Sequence, residues 1–144
     1  MNGTLAIGIG NPDCGDDAAG RLAVRRLRAL DPALEVIELG GEPAALIDCL
    51  ARAGRAYLVD ACRAGQAAGT VTRFDAGQAA LPADMLTCST HGLGLAQALE
   101  LARALGSLPR CCVVYAIEGR DFAPGAPLSP AVAAAIEQVA LRIA

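Results

Sequence analysis

Two aspartates and one histidine carry the chemistry this sequence offers. Asp17 lies in the stretch IGIGNPDCGDDAAG (residues 7–20), Asp60 ends the apolar run YLVD, and His91 is the single histidine of the chain. Two carboxylates and an imidazole give three ligands for a divalent transition metal and leave positions open for water or substrate. An imidazole at a helix start feels positive potential, which favours its neutral, ligating form. A carboxylate at the end of a buried strand is costly unless it is paired or bound. Each residue also has a plainer use. Asp16 and Asp17 suit a helix N-terminus, where an acid contributes about 0.3–1 kcal/mol. Asp60 can accept backbone N–H bonds from the ACRAG that follows it, and His91 can cap a helix.

The glycines of the first stretch raise the question of a nucleotide loop. Gly8 and Gly10 fit the dinucleotide fingerprint G-x-G-x-x-G, but the third position is Asp13. Asp16 and Asp17 stand where pyrophosphate would meet the helix N-terminus and would repel it. Glu38 is a weak match for the acid that contacts ribose. A nucleotide-binding regulator is therefore the least favoured class.

Nothing resembles H-E-x-x-H, so no general base is marked; Asp16 is a candidate by position, with capping as its other role. Cys14, Cys62 and Cys88 fall near the three residues and offer soft ligands or a nucleophile. With one histidine, already claimed for metal, a cysteine protease is disfavoured. Cys49, Cys111 and Cys112 read as buried, inert thiols. Glu118 ends the apolar run YAIE; it can orient a ligand or bind substrate, but a solvated strand end is favoured. The loop GRDFAPGAP is a candidate substrate rim.

The 144 residues fit one domain, 1–144, with one core; 54% are hydrophobic and 19% charged. Abundant alanine suggests closely packed helices. A net charge of −3 and few aromatics argue against nucleic acid or an anionic membrane as partner. All twelve basic residues are arginine, which excludes a phosphate-loop lysine and Schiff-base chemistry. No signal-peptide pattern or membrane-spanning apolar run is present, so a cytoplasmic location is expected, with reduced thiols and no C-x-x-C spacing.

The elements that must position these residues alternate. Strands are predicted at 4–9, 34–39, 56–61 and 111–119, with an edge strand at 69–76. Helices are predicted at 17–30 and 42–53, from Ser89 or Thr90 to about residue 105, and from Ser129-Pro130 onward. Ala19, Ala23, Leu27 and Leu30 line one face of the first helix. This order predicts an α/β fold: a three-layer αβα sandwich whose twisted, mostly parallel sheet carries helices on both faces. In such sheets ligands bind beyond the carboxyl ends of the strands, where Asp17, Asp60 and His91 can meet.

GIGNPDCGDDAAG, YLVDAC, STHGLGLAQALELA and YAIEGRDFAPGAPLSPAV together resemble the hydrogenase maturation endopeptidases, in order and spacing along nearly the whole chain. The resemblance implies an endopeptidase that removes the C-terminal extension from the nickel-loaded large-subunit precursor of a [NiFe] hydrogenase. It places the family's metal-binding residues on Asp17, Asp60 and His91. It implies that nickel is recognised in the substrate, with zinc or another divalent metal able to substitute in vitro. It is compatible with a monomer. One departure is clear: many members carry an aspartate before the Gly-Gly after the second strand, and here that residue is Leu39, with Glu38 and Glu42 as neighbours. A second class remains open, a non-catalytic module that docks on a hydrogenase subunit in a nickel-dependent way.

Overall fold

Runs of apolar residues that are not interrupted by polar ones can form strands only where both faces of the sheet are covered. The computed structural model describes residues 3–82 and 94–144 and shows this arrangement. Strands β1 (Thr4–Ile9), β2 (Glu35–Leu39), β3 (Arg55–Cys62), β4 (Val71–Asp75) and β5 (Cys111–Glu118) form one sheet in the order β2-β1-β3-β5-β4. All neighbours are parallel except β4, which runs antiparallel to β5 at the edge. The α/β sandwich expected from the alternation of elements is the fold observed.

Helices α1 (Ala19–Leu30) and α4 (Pro130–Ile143) cover one face, packing Val24, Leu27, Val132 and Val139 against Val59 and Ile117. Helices α2 (Pro43–Arg52) and α3 (Leu95–Ala104) cover the other, packing Leu46, Leu50, Leu95 and Leu99 against Ile7, Leu58 and Val114. Each large aliphatic side chain fully buried this way contributes about 1.5–3 kcal/mol before chain entropy is subtracted. Pro43 and Pro130 open their helices, where a missing N–H costs nothing.

α1 lies close on the sheet because Gly20 has no side chain. A Cβ there would run into the carbonyl oxygens of Val59 and Ile9. The third glycine absent from position 13 is thus supplied in function by Gly20, which lets a helix start directly over β1 and β3.

Three boundaries differ from expectation. The helix predicted from residue 17 starts at Ala19, preceded by a 3₁₀ turn, Gly15–Ala18, in which the Asp17 N–H bonds back to the Cys14 carbonyl at 3.1 Å. β3 runs two residues past Asp60, because β5 goes on pairing as far as Cys62 with Glu118. The helix expected from Ser89 or Thr90 is described from Leu95; Ser89 and Thr90 lie outside the described residues. Among the described residues no helix is long and apolar enough to cross a membrane.

Candidate active site

The site lies over the carboxyl ends of β1 and β3. Gly8 pairs with Val59 and Ile9 with Leu39, so Leu39, Ile9 and Asp60 share one row across the sheet. Leu58 and Cys62 belong to the core on the α2–α3 side, and the alternation of a strand puts Asp60 on that same face. β1 ends at this row, which leaves Asp60 partly exposed although β3 continues.

Asp17 reaches the same place from the loop after β1. Gly10, at φ +146, passes so close to the Asp17 carbonyl that no side chain would fit, and its N–H donates to the Leu39 carbonyl at 3.0 Å. The chain then doubles back, and the Asn11 N–H donates to Asp17 Oδ2 at 2.9 Å. Arg21 Nε holds the Gly10 carbonyl at 2.7 Å from below.

The two carboxylates feel each other. Burial pushes the Asp60 carboxyl well above the usual carboxylate range, and the negative charge of Asp17 raises it further, against a bond from the Ala61 N–H. Burial also raises Asp17, outweighing the Asn11 N–H and the charge of Arg21. Adjacent carboxylates that resist ionisation together are a place where a cation is favourable. Their oxygens suit a divalent ion. His91, the third expected ligand, lies outside the described residues, as does Cys88. Among the described residues no three acidic, histidine or cysteine side chains form a metal-holding group by themselves.

Two other acids at this edge are placed differently. Asp16, the candidate base, is fully buried. Its Oδ2 accepts from the Arg120 N–H (2.8 Å), the Asp121 N–H (3.2 Å) and Ser129 Oγ (2.7 Å), and its Oδ1 from the Ser129 N–H (2.8 Å). Burial alone would raise its pKa, but these bonds prevail and hold it below the ordinary value. It does not cap its own turn; it binds the segment that leads into α4. A carboxylate with its acceptor sites filled by four donors is a poor proton acceptor, so the expectation of Asp16 as base gives way to a structural role.

Glu118 is also buried, which corrects the expectation of a solvated strand end. Its carboxylate accepts from the Ala64 N–H (3.0 Å), the Gly65 N–H (3.2 Å) and Cys62 Sγ (3.5 Å), pinning the turn after β3. Neither anchor is marked in the sequence by anything beyond an acid at the end of an apolar run or beside a loop glycine.

Around the site, Glu38 faces α1 and is held by Arg25 in a fork (Nε to Oε2 3.0 Å, Nη2 to Oε1 2.8 Å), with Arg21 at 3.7 Å. It is turned away from Asp60 and is not a substitute for the missing acid. Leu39, at that position, packs against the α2–α3 core. Glu42 is exposed beside Gly40 and Arg21. Arg63, just past β3, lies 4.5 Å over the ring of Phe122, a contact that forms part of the rim. Of the thiols, Cys14 is half-exposed and Cys49 and Cys112 are buried; burial pushes the Cys112 thiol up to about 12. Cys111 is exposed rather than buried, because it starts β5, at the amino end of that strand.

A family model for hydrogenase maturation protease (HycI) matches residues 22–144. The chain belongs to the hydrogenase maturation protease family. Solved structures agree with that membership. The hydrogenase maturating endopeptidase HybD from E. coli is 24% identical, with a TM-score of 0.79 over 99% of this chain and 90% of that one. A solution structure of an endopeptidase from Escherichia coli is also 24% identical, with a TM-score of 0.81 over 99% and 90%. The [NiFe] hydrogenase maturation protease HybD from Thermococcus kodakarensis is 26% identical, with a TM-score of 0.76 over 99% and 97%. At such identities the E. coli structures establish the fold alone. No curated protein matches the chain. As a maturation protease the chain is a hydrolase of the peptidase type. The family match includes Asp60 and His91 but starts after Asp17, so the placing of Asp17 rests on the geometry of the β1 loop.

Proposed function

We propose that this maturation protease removes the C-terminal extension from a nickel-loaded [NiFe] hydrogenase large-subunit precursor, with Asp17, Asp60 and His91 as the residues that meet the metal. The observation that carries the reading is the juxtaposition of Asp17 and Asp60 at the open end of the sheet, in a chain of this family. Nickel enters as part of the substrate, and zinc or another divalent ion can take its place in vitro.

The chain's own residues do the positioning. The Asn11 N–H orients Asp17, Arg21 holds the turn beneath it, and β3 fixes Asp60. A divalent ion held there supplies polarisation of a scissile carbonyl or a more acidic bound water. The 119–129 segment, with Phe122 and Arg63, forms the rim past which the extension would lie.

The test is the intact mass of a nickel-loaded precursor after incubation with the wild type, His91→Ala and Asp17→Asn. Loss of one defined C-terminal peptide with the wild type alone supports the reading. An unchanged mass, with the precursor nonetheless bound, replaces it with the docking module.

A further inference from the structure

We propose that Asp16 is a positioning residue: it locks the loop that carries Asp17 to the segment after β5, and so sets where Asp17 stands against Asp60. The inference rests on the protease reading above and adds a residue to it.

The lock is two-sided. The Asp16 N–H donates to the Asp121 carbonyl at 2.8 Å, while the Asp16 carboxylate gathers the N–H groups of Arg120, Asp121 and Ser129 and the Ser129 hydroxyl. A second bridge runs from the Gly125 N–H to the Asp13 carbonyl at 2.8 Å. The contact has no slack. A Cβ on Gly15 would strike the Asp121 carbonyl, and a Cβ on Gly119 would come within 2.9 Å of Asp16 Cβ. Residues 13–16 and 119–129 therefore behave as one body.

Asp17 depends on that body. The one hydrogen bond described for its carboxylate comes from Asn11, in its own loop. That bond fixes the side chain relative to the loop, not the loop relative to β3. The backbone on either side of Asp17 is placed by Asp16 before it and by Gly20 after it. A misplacement of about 1 Å at a reacting centre is enough to cost about 100-fold in rate. Asp16 thus acts through its neighbour and through the rim, without touching substrate.

Three variants of the full chain test this. Asp16→Asn turns an NH₂ group toward backbone N–H donors. Ser129→Ala removes one donor and leaves the carboxylate. Val139→Ala trims the α4 core, away from both loops, and serves as a control for lost stability. Amide hydrogen exchange is followed in residues 13–18 and 120–129, and kcat and KM are measured on the nickel-loaded precursor. Asp16→Asn is expected to lose protection in both segments together and to lower kcat on the order of 100-fold, with KM little changed. Ser129→Ala is expected to move both readouts the same way by less, and carries the test if Asp16→Asn does not fold. Val139→Ala keeps wild-type kcat and KM. Unchanged protection, or kcat no lower than in Val139→Ala, overturns the proposal. A wild type that cuts nothing overturns the protease reading instead, and the exchange data then decide the lock alone.

Discussion

Four of the acids described at the carboxyl edge of this sheet form two contrasting pairs. Asp16 and Glu118 are buried and have their oxygens filled by backbone N–H groups and neighbouring side chains. Asp17 and Asp60 are less buried, yet they are the ones whose ionisation is resisted. What separates the pairs is the supply of donors set against burial. A buried carboxylate is stable when donors converge on it, as on Asp16; at Asp17 and Asp60 burial outweighs the few donors present, and at Asp60 the charge of Asp17 adds to it. The first pair holds loops together; the second keeps unspent capacity to bind.

That contrast makes a ranked set of predictions. The largest effect is on turnover. Asp17→Asn and Asp60→Asn should each lower precursor cleavage about 100-fold or more while leaving the fold intact by circular dichroism. Activity within a factor of a few of wild type would remove both from the machinery.

Next come the anchors, read in stability. Asp16→Ala leaves three backbone N–H groups and a hydroxyl without their acceptor, at about 1–3 kcal/mol for each group that water cannot reach. A loss of about 3 kcal/mol is expected in urea unfolding. Glu118→Ala should cost somewhat less, about 2 kcal/mol, since one of its donors is a weak thiol. Losses under about 0.5 kcal/mol, the range of ordinary surface substitutions, would break the comparison.

The smallest effects concern pH, and here Asp16 and Asp60 should differ in sign. Asp60 titrates higher in the folded protein than in the unfolded chain, so the folded state binds more protons across that window. Its contribution to stability falls as pH rises from the ordinary carboxylate value to the raised one. In metal-free protein near neutral pH, Asp60→Asn should raise Tm by a few degrees at most. Asp16 titrates lower when folded, so its contribution is present above the ordinary value and is lost as pH falls through the folded one. Thermal unfolding from about pH 3 to 8 on wild type and Asp60→Asn checks both signs; a lower Tm for Asp60→Asn at neutral pH would reverse the assignment.

Much of this architecture is legible in residue type alone. The apolar runs and the 3.6-residue stripe encode the sandwich, the edge strand and the inward face of α1, because burial on both faces leaves a direct trace in composition. Asp60 stands out because a charge after YLV needs a reason. The anchors are less legible. Asp16 reads as a cap, but its partners are more than a hundred residues away, and no local pattern encodes them. Glu118 reads as an end meeting water because nothing near it in the chain reveals the turn folded over it. The 3₁₀ turn escapes for the same reason: the segment from Asp17 reads as helical, and tertiary bonds to the preceding residue hold the turn otherwise. Leu39 is visible only as a departure from the family pattern, and its place on the row of Asp60 needs the strand register.

The long reach of Asp16 also bears on when the enzyme comes into being. Chains emerge from the ribosome N-terminus first. Asp17 is made about a hundred residues before the groups that settle its loop, at 120, 121 and 129, which follow after β5. A nascent chain that has completed β1, β2 and β3 already owns Asp17 and Asp60, yet lacks the piece that fixes their relation. The relation of Asp17 to Asp60 is thus settled only when α4 begins to form, well after both residues have been made.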